Sequence, residues 1–577
     1  MRKVWRFAPT VGRVAVELKT PLPALAATLL ANRGIIEAAA VEEFLFPDYI
    51  RHLYDPLLFT DMKVVIERIA LALAKTEPLV IYGDYDADGV CSVAVLTSTL
   101  QVLGANVIEV YLPHREKEGY GLNRAAVERL VGIGTRLIIT LDCGTTNIDE
   151  IRYAQSQGVD VIVIDHHNTA DELPGAFAFL NPKRPGEKYP YRHLASVGLA
   201  FKTAQALLRY HIVNRPDEAT RWKQFEKWLL DLVAIATVTD LVPLVGENRT
   251  LLKYGLKTLN QTRRPGLRAL VSIMGGTLGR LDTYSIAYQI GPRLNAAGRM
   301  NHANAAYKLI MCEEDETAKL LATELEANNR ARQALTERIT AEALASLSGQ
   351  EQEKVLVAVG DGWPIGLVGL VASRLQEQYH RPIIVIGRTE RGLAGSGRSV
   401  AIFNIIEALY SMPELFIKFG GHAQACGFTL KDENALNDFR RRINALASVQ
   451  LGADDLQPVM VIDASLNLHD VNEELYELVC LLEPYGMANP KPRFLISNVR
   501  VVGCSTVGAR GQHLKLTVSD NEGAIRQAIG FNLANKTGEL VQLGANVDLV
   551  AEVLLNEFNG QRELQLKVLD IRSALPS

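Results

Sequence analysis

From residue 78 to residue 180 short, continuous, β-branched runs alternate with helical ones. Residues 78–82, 107–112, 135–141, 159–164 and 176–180 read as strands, and residues 90–103, 124–131 and 149–157 as helices between them. Runs that are apolar throughout belong to strands buried on both faces. Strands separated by crossover helices lie parallel, so the expected fold is α/β, a mostly parallel sheet with helices on both faces. Ligands bind such sheets beyond the carboxyl ends of the strands.

That edge is where this chain places its acids. The first run ends in Gly83-Asp84-Tyr85-Asp86-Ala87-Asp88-Gly89. The third ends in Asp142-Cys143-Gly144, and the fourth in Asp165-His166-His167-Asn168. Asp240 follows a largely apolar segment, residues 229–238. Seen singly, these are an Asp-Gly turn, a glycine turn, a loop histidine pair and a helix cap. Together they crowd carboxylates that repel one another, and a cation is the natural way to keep them ionised. Oxygen-rich sites suit Mg²⁺ or Mn²⁺. A calcium loop of the EF-hand type is excluded, because no Glu follows at the required offset.

Asp84, Asp86, Asp88, Asp142, His166 and Asp240 are enough ligands for two divalent ions. Two ions about 3.5–4 Å apart clamp the attacking and leaving oxygens of a phosphodiester. His167 is expected to face the scissile phosphate, or to act as an acid, and Asp165 to orient a histidine or to ligate directly. If the first acidic segment stayed extended, Asp84 and Asp88 would lie about 13 Å apart, too far to serve one ion pair. The chain must therefore turn, with Asp86 and Asp88 towards the metals and Asp84 a third ligand or a supporting carboxylate.

At 577 residues the chain accommodates several domains. The expected division is a helical lead-in (1–61), the acid-bearing domain (62–310), a connecting helix (311–350), a second, smaller α/β domain (351–455) and a C-terminal barrel of OB type (456–577). Residues 315–347 contain neither Pro nor Gly, as a long connecting helix requires. From about residue 457 strands dominate, spaced by turn signals such as 521–523 and 559–560. The six cysteines have no CxxC spacing, which argues against a zinc ribbon and a disulfide framework. The net charge of −4 gives no global basic signature, so nucleic acid would need a local channel. No apolar run is long enough to span a bilayer and no signal-peptide core follows the start, so no membrane and a cytoplasmic location are expected.

Further candidates lie downstream. Ser396-Gly397-Arg398-Ser399 combines backbone donors, hydroxyls and a guanidinium, as a phosphate cradle or an ordinary glycine turn would. His422 follows two glycines and could touch a phosphate or be structural. Arg293 and Arg299, with Asn295 between, could bind a strand backbone or cap a helix. In the barrel, Lys491, Arg493, Phe494, His513 and Lys515 are candidates for a single-strand groove.

The motifs GDYDADG, LDCGTTN, IDHHN and VTDLVPL, in this order, resemble those of the DHH phosphoesterase superfamily. Within it the chain is most similar to the bacterial RecJ single-strand-specific 5′ exonucleases. The resemblance extends over nearly the whole chain, through residues 291–299, 395–399, 420–428 and 483–490. The turn at residues 195–198 departs from the more glycine-rich family pattern. The resemblance implies a 5′→3′ exonuclease on single-stranded DNA, using two divalent ions, Mn²⁺ or Mg²⁺, to release 5′-mononucleotides. It implies metal ligation by Asp84, Asp86, Asp88, Asp142, His166 and Asp240. It implies substrate binding by Arg293, Asn295, Arg299, Ser396, Arg398 and His422, with the second α/β domain binding the 5′ end. A role in DNA repair and recombination, a helicase and a single-strand-binding protein as partners, and a monomeric state are also implied. The alternatives are a phosphodiesterase for short oligonucleotides or cyclic dinucleotides, and a non-catalytic nucleic-acid-binding scaffold.

Overall fold

The computed structural model describes residues 3–9, 12–14, 17–390, 392–452, 454–534, 540–558 and 561–574. Two compact units emerge. One comprises Tyr54–Val242 and Tyr254–Gln457; the other comprises Met1–Leu53, Pro243–Lys253 and Pro458–Ser577.

The first of these units holds a five-stranded sheet in the order Val107–Tyr111, Leu79–Gly83, Leu137–Leu141, Asp160–Ile164, Ala178–Leu180, every pair parallel. Leu79–Gly83 and Leu137–Leu141 are buried at every residue, which is why they read as unbroken apolar runs. Gly83 pairs with Leu141, and Leu141 with Ile164. Asp84, Asp142 and Asp165 therefore leave three neighbouring strands at one level.

The same unit contains a second sheet, ordered Phe416–His422, Ala425–Leu430, Gly392–Arg398, Ile383–Thr389, Leu356–Asp361. Only its last pair is parallel. The 32-residue helix Asp315–Ser346 serves both sheets' domains. Its early part packs against Pro265–Ile273 and Gly291–Met300, while Ile339 and Ala343 enter the core around Leu356, Leu367 and Ile383.

In the other unit Phe494–Val507, His513–Ser519, Ile525–Gly530, Gln561–Ser573 and Asn546–Phe558 pair in that order, and the last returns to the first, closing a five-stranded barrel. The anticipated turn at residues 559–560 lies outside the described residues. The N-terminal segment is not purely helical: Val4–Phe7 forms a strand parallel to Val459–Ile462, followed by helices Pro23–Ala31 and Ala38–Leu45. Phe494 is 1% exposed and belongs to the barrel core, so it cannot stack on a base. Its alternation along an inward-facing strand, not its aromaticity, decides its place.

Candidate metal centre

The acidic segment turns where the extended-chain argument required. The strand stops at Gly83, and Asp86 becomes the N-cap of the helix Ala87–Val102, its carboxylate accepting from the amides of Asp88 (2.9 Å) and Gly89 (3.1 Å). Gly89 is obligatory here, since a Cβ would sit 2.5 Å from the carbonyl oxygen of Asp84. The turn divides the three aspartates. Asp84 and Asp86 gather with Asp142, whereas Asp88 gathers with His166 and Asp240. Asp88 lies at the start of a second helix as well: its two oxygens accept from the amides of Ser196 (2.7 Å) and Val197 (2.9 Å), which open Ser196–Asn214. Residues 195–198, read from the sequence as a turn, are the start of this helix and supply backbone donors to a carboxylate.

Asp142 adopts φ 63°, left-handed backbone that few non-glycine residues occupy. Its amide bonds to the carbonyl of Ile164 and its carbonyl accepts from the Tyr120 hydroxyl, which holds the conformation. Asp240 is the C-cap residue of Leu230–Thr239, the end of a helix dipole that disfavours an anion.

His166 Nε2 stands 3.3 Å from Asp142 Oδ1, 3.6 Å from Asp240 Oδ2 and 3.9 Å from Asp88 Oδ2. Burial, then the positive neighbours His167, Lys183 and His422, push its pKa down to about 3, so the ring is neutral at physiological pH. Asp84 Oδ1, Asp142 Oδ1 and Asp240 Oδ2 are buried and have no hydrogen-bond partner. Burial, followed by the charges of neighbouring aspartates, raises the pKa of all three well above the usual carboxylate range. Burial and Asp86 raise Asp88 to about 7 against the opposing amides of Val197 and Ser196. Unpaired oxygens and an imidazole nitrogen facing common points are what a cation satisfies, and hard oxygens with one imidazole suit a divalent ion. The donor set therefore fits two such ions, with Asp142 reaching both groups of ligands.

Asp165 is wholly engaged elsewhere. Its Oδ1 accepts from the amides of His166 (2.7 Å) and His167 (3.2 Å) and lies 2.8 Å from His167 Nδ1; its Oδ2 accepts from the Thr145 amide. Burial alone would raise its pKa, yet these bonds hold it well below the usual range. Asp165 is thus placed to orient His167 rather than to ligate. Burial opposes protonation of His167, but the bond and charge of Asp165, with Asp84 and Asp86, raise its pKa above the ordinary value. Tyr120 also touches His167, its hydroxyl 3.0 Å from Nδ1.

The remaining candidates separate by what already occupies them. Arg293 is paired with Glu326 (2.7 Å) and donates to the carbonyl of Gln289. Asn295 Oδ1 accepts from the Ala87 amide (2.8 Å), so it caps the helix that carries Asp88. Arg299 donates to the carbonyl of Gly366, and burial and then Arg115 and Arg332 push its pKa down to about 9. These three brace the site; of the two readings offered by the sequence, Asn295 follows helix capping.

Ser396–Arg398 is not a turn. It lies in a central strand whose backbone is paired on both sides, so no backbone cradle exists. The side chains do converge: Arg398 donates to Ser396 Oγ (3.0 Å) and Ser373 Oγ (3.1 Å). The glycines here serve packing, since a Cβ on Gly395 would meet Phe428 at 2.6 Å. Ser399 is buried against Phe403. His422 ends an edge strand, largely exposed; partial burial, then the charges of His167 and Lys183, lower its pKa.

Sequence reasoning missed Tyr120, Lys183, Arg115, Ser373, Arg332 and Arg374. Arg299, Arg332 and Arg398 are depressed first by burial and then by other guanidiniums, among them Arg115 and Arg374. Of the missed residues only Tyr120 carried a local signal, an aromatic flanked by Gly119 and Gly121 after a strand.

Comparison with known proteins agrees with this architecture. The DHH family N-terminal domain matches residues 78–237, the DHHA1 domain residues 352–448 and the RecJ OB domain residues 462–570. The single-stranded-DNA-specific exonuclease RecJ of Bacillus subtilis is 39% identical over 549 residues, 95% of this chain and 67% of that protein. The Escherichia coli protein of the same name is 32% identical over 570 residues, 96% of this chain and 97% of its own length. The chain belongs to the RecJ family. A crystal structure of RecJ from Thermus thermophilus in complex with Mn²⁺ superposes with a TM-score of 0.82 at 28% identity, over all of this chain and 80% of that one. The parallel sheet, the second α/β domain and the closed barrel are thus the parts of the RecJ fold. No helix among the described residues is long and apolar enough to cross a membrane.

Proposed function

We propose that this chain is a single-stranded-DNA-specific 5′→3′ exonuclease that hydrolyses phosphodiester bonds with two divalent ions, Mn²⁺ or Mg²⁺, and releases 5′-mononucleotides. The observation that carries the reading is the set of three buried carboxylate oxygens without a hydrogen-bond partner, those of Asp84, Asp142 and Asp240, with Asp84 grouped beside Asp86 and Asp142, and Asp240 beside Asp88 and His166. The names of the curated relatives and the Mn²⁺ held by the Thermus thermophilus protein support it.

Asp84, Asp86 and Asp142 would hold one ion, and Asp88, His166, Asp240 and the shared Asp142 the other. Bound there, divalent ions supply Lewis acidity, lowering the pKa of the attacking water and offsetting charge on the leaving oxygen. The protein's own part is positioning and charge. Asp165 fixes Nδ1 of His167, leaving Nε2 to donate a proton or hydrogen bond to the scissile phosphate. Lys183 adds positive charge on the same side, and His422, its pKa lowered, offers a neutral imidazole. Arg398, with Ser396 and Ser373, is the seat for the 5′-terminal phosphate. Arg115, Arg332 and Arg374 extend the positive track without reading base identity. Within the barrel, Lys491, Arg493, His513 and Lys515 are the candidates for contact with a single strand.

The expected setting is the cytoplasm, in DNA repair and recombination, with a helicase opening duplex, a single-strand-binding protein on the substrate, and the enzyme acting as a monomer. The test compares 5′-phosphorylated single-stranded DNA, RNA and blunt duplex with Mn²⁺ and with Mg²⁺. Mononucleotide release from single-stranded DNA alone supports the reading; hydrolysis of dinucleotides with none of long strands refutes it.

A further inference from the structure

The loop between the strand Val107–Tyr111 and the helix Arg124–Gly132 is fastened along its length. Glu118 accepts from the His114 amide (2.6 Å) and from Asn123 Nδ2 (2.9 Å). The Tyr82 hydroxyl donates to the Gly121 carbonyl (3.0 Å). Asn147, on the segment that leaves Asp142, brackets Leu122: it accepts from the amide (3.1 Å) and donates to the carbonyl (2.9 Å). Gly119 and Gly121 take left-handed backbone, φ 85° and 84°, and a Cβ on Gly121 would lie 2.5 Å from Asn147 Oδ1.

Between these glycines stands Tyr120. The residue is 44% exposed, so burial of its ring does not explain the bracing. Its hydroxyl does: the oxygen lies 3.0 Å from the carbonyl oxygen of Asp142 and 3.0 Å from His167 Nδ1. A hydroxyl has one hydrogen, and a carbonyl can only accept. The hydrogen therefore goes to Asp142, and Nδ1 must donate in the second bond. Asp165 Oδ1, 2.8 Å from the same nitrogen, demands the same tautomer. One oxygen thus holds the left-handed backbone of Asp142 and the ring of His167 together. Earlier in the loop, the Arg115 guanidinium lies over the Tyr85 ring, 4.7 Å from its centroid, and Tyr85 stands between Asp84 and Asp86. The two contacts grip the chain beside Asp84, Asp86 and Asp142, the three residues that gather as one ligand group, and occupy none of their carboxylate oxygens. Neither Arg115 nor Tyr120 bonds to Asp88, His166 or Asp240, the other group.

We infer that Tyr120 is a positioning residue for one ion of the two. Through its hydroxyl the braced loop sets the aim of the Asp142 carboxylate towards Asp84 and Asp86, while the ion among Asp88, His166 and Asp240 keeps three ligands that the loop does not hold. Groups that orient metal ligands from behind govern affinity by about tenfold or more. The inference rests on the two-ion reading above.

The test is titration of Tyr120→Phe and of the parent protein with Mn²⁺ alone, by calorimetry and by electron paramagnetic resonance. The parent is expected to take up two ions that are spin-coupled through the shared carboxylate. In the variant one ion should bind about tenfold or more weaker, the other should change less, and the first ion taken up should give an uncoupled spectrum. Anomalous diffraction at the manganese edge, from variant crystals at limiting Mn²⁺, should lose the peak among Asp84, Asp86 and Asp142 and keep the other. Thermal unfolding in EDTA should match the parent, since phenylalanine retains the ring. Equal weakening of both ions, loss of the ion among Asp88, His166 and Asp240 instead, no change in either, or weaker binding that merely follows a lowered unfolding temperature would overturn the inference. A parent protein that binds fewer than two ions would sink the two-ion reading itself, and the inference with it.

Discussion

Metal binding to this centre must expel protons, and the number can be worked out for Asp88. Its carboxyl is raised from 3.8 to about 7, by burial first and Asp86 second. In the metal-free protein at pH 6 it is therefore about 90% protonated, and at pH 8 about 10%. A ligating carboxylate is ionised, so binding at pH 6 releases about 0.9 proton from this group and at pH 8 about 0.1. His166, near 3, is already neutral and releases none. The affinity for Mn²⁺ should accordingly tighten about tenfold per pH unit, from the ordinary carboxylate range up to about pH 7, from Asp88 alone. The raised carboxyls of Asp84, Asp142 and Asp240 steepen the slope. The same shift has a stability sign. The unfolded chain gives up this proton near 3.8 and the folded one near 7, so the contribution is full below 3.8 and is lost as pH rises through 7. Titration calorimetry in two buffers of different ionisation enthalpy, at pH 6 and pH 8, measures the protons directly. Release of no proton at pH 6, or an affinity independent of pH between 5 and 7, would refute the reasoning.

Three further outcomes follow from particular bonds. Asn295→Ala removes the acceptor for the Ala87 amide; it should cost about 1 kcal/mol of stability and lower kcat more than it raises KM, as thermal unfolding and steady-state kinetics would record. Asp165→Asn removes the charge that raises His167; the pH–rate profile should lose its activity at a lower pH than the parent's, measured with Mn²⁺ saturating. Arg398→Ala should cut the preference for a 5′-phosphorylated over a 5′-hydroxyl strand by about tenfold or more, read as a ratio of kcat/KM values.

The strand-end acids were legible because two independent patterns coincide there. Apolar runs of five residues identify buried parallel strands, and parallel sheets put their sites at the carboxyl edge. The need for a turn within Asp84–Asp88 was also legible, from strand geometry alone. How the turn divides the aspartates was not, because Asp88 is drawn aside by Ser196 and Val197, over a hundred positions away. Glycine misled at Ser396–Arg398: small residues permit either a turn or close packing beneath Phe428, and the chain uses the second. Phe494 was misread for a similar reason, since an aromatic in a barrel strand serves core or ligand according to a register that its neighbours do not reveal. Arg115, Lys183 and Arg374 gain meaning only from elements distant in sequence.

The central claim is that Asp142 stands between two ions. Anomalous diffraction at the manganese edge, from crystals soaked in Mn²⁺, tests it most directly. The account predicts two peaks, one among Asp84, Asp86 and Asp142 and one among Asp88, His166 and Asp240, with Asp142 adjoining both. A single peak at full occupancy, or a second peak remote from Asp142, would contradict it.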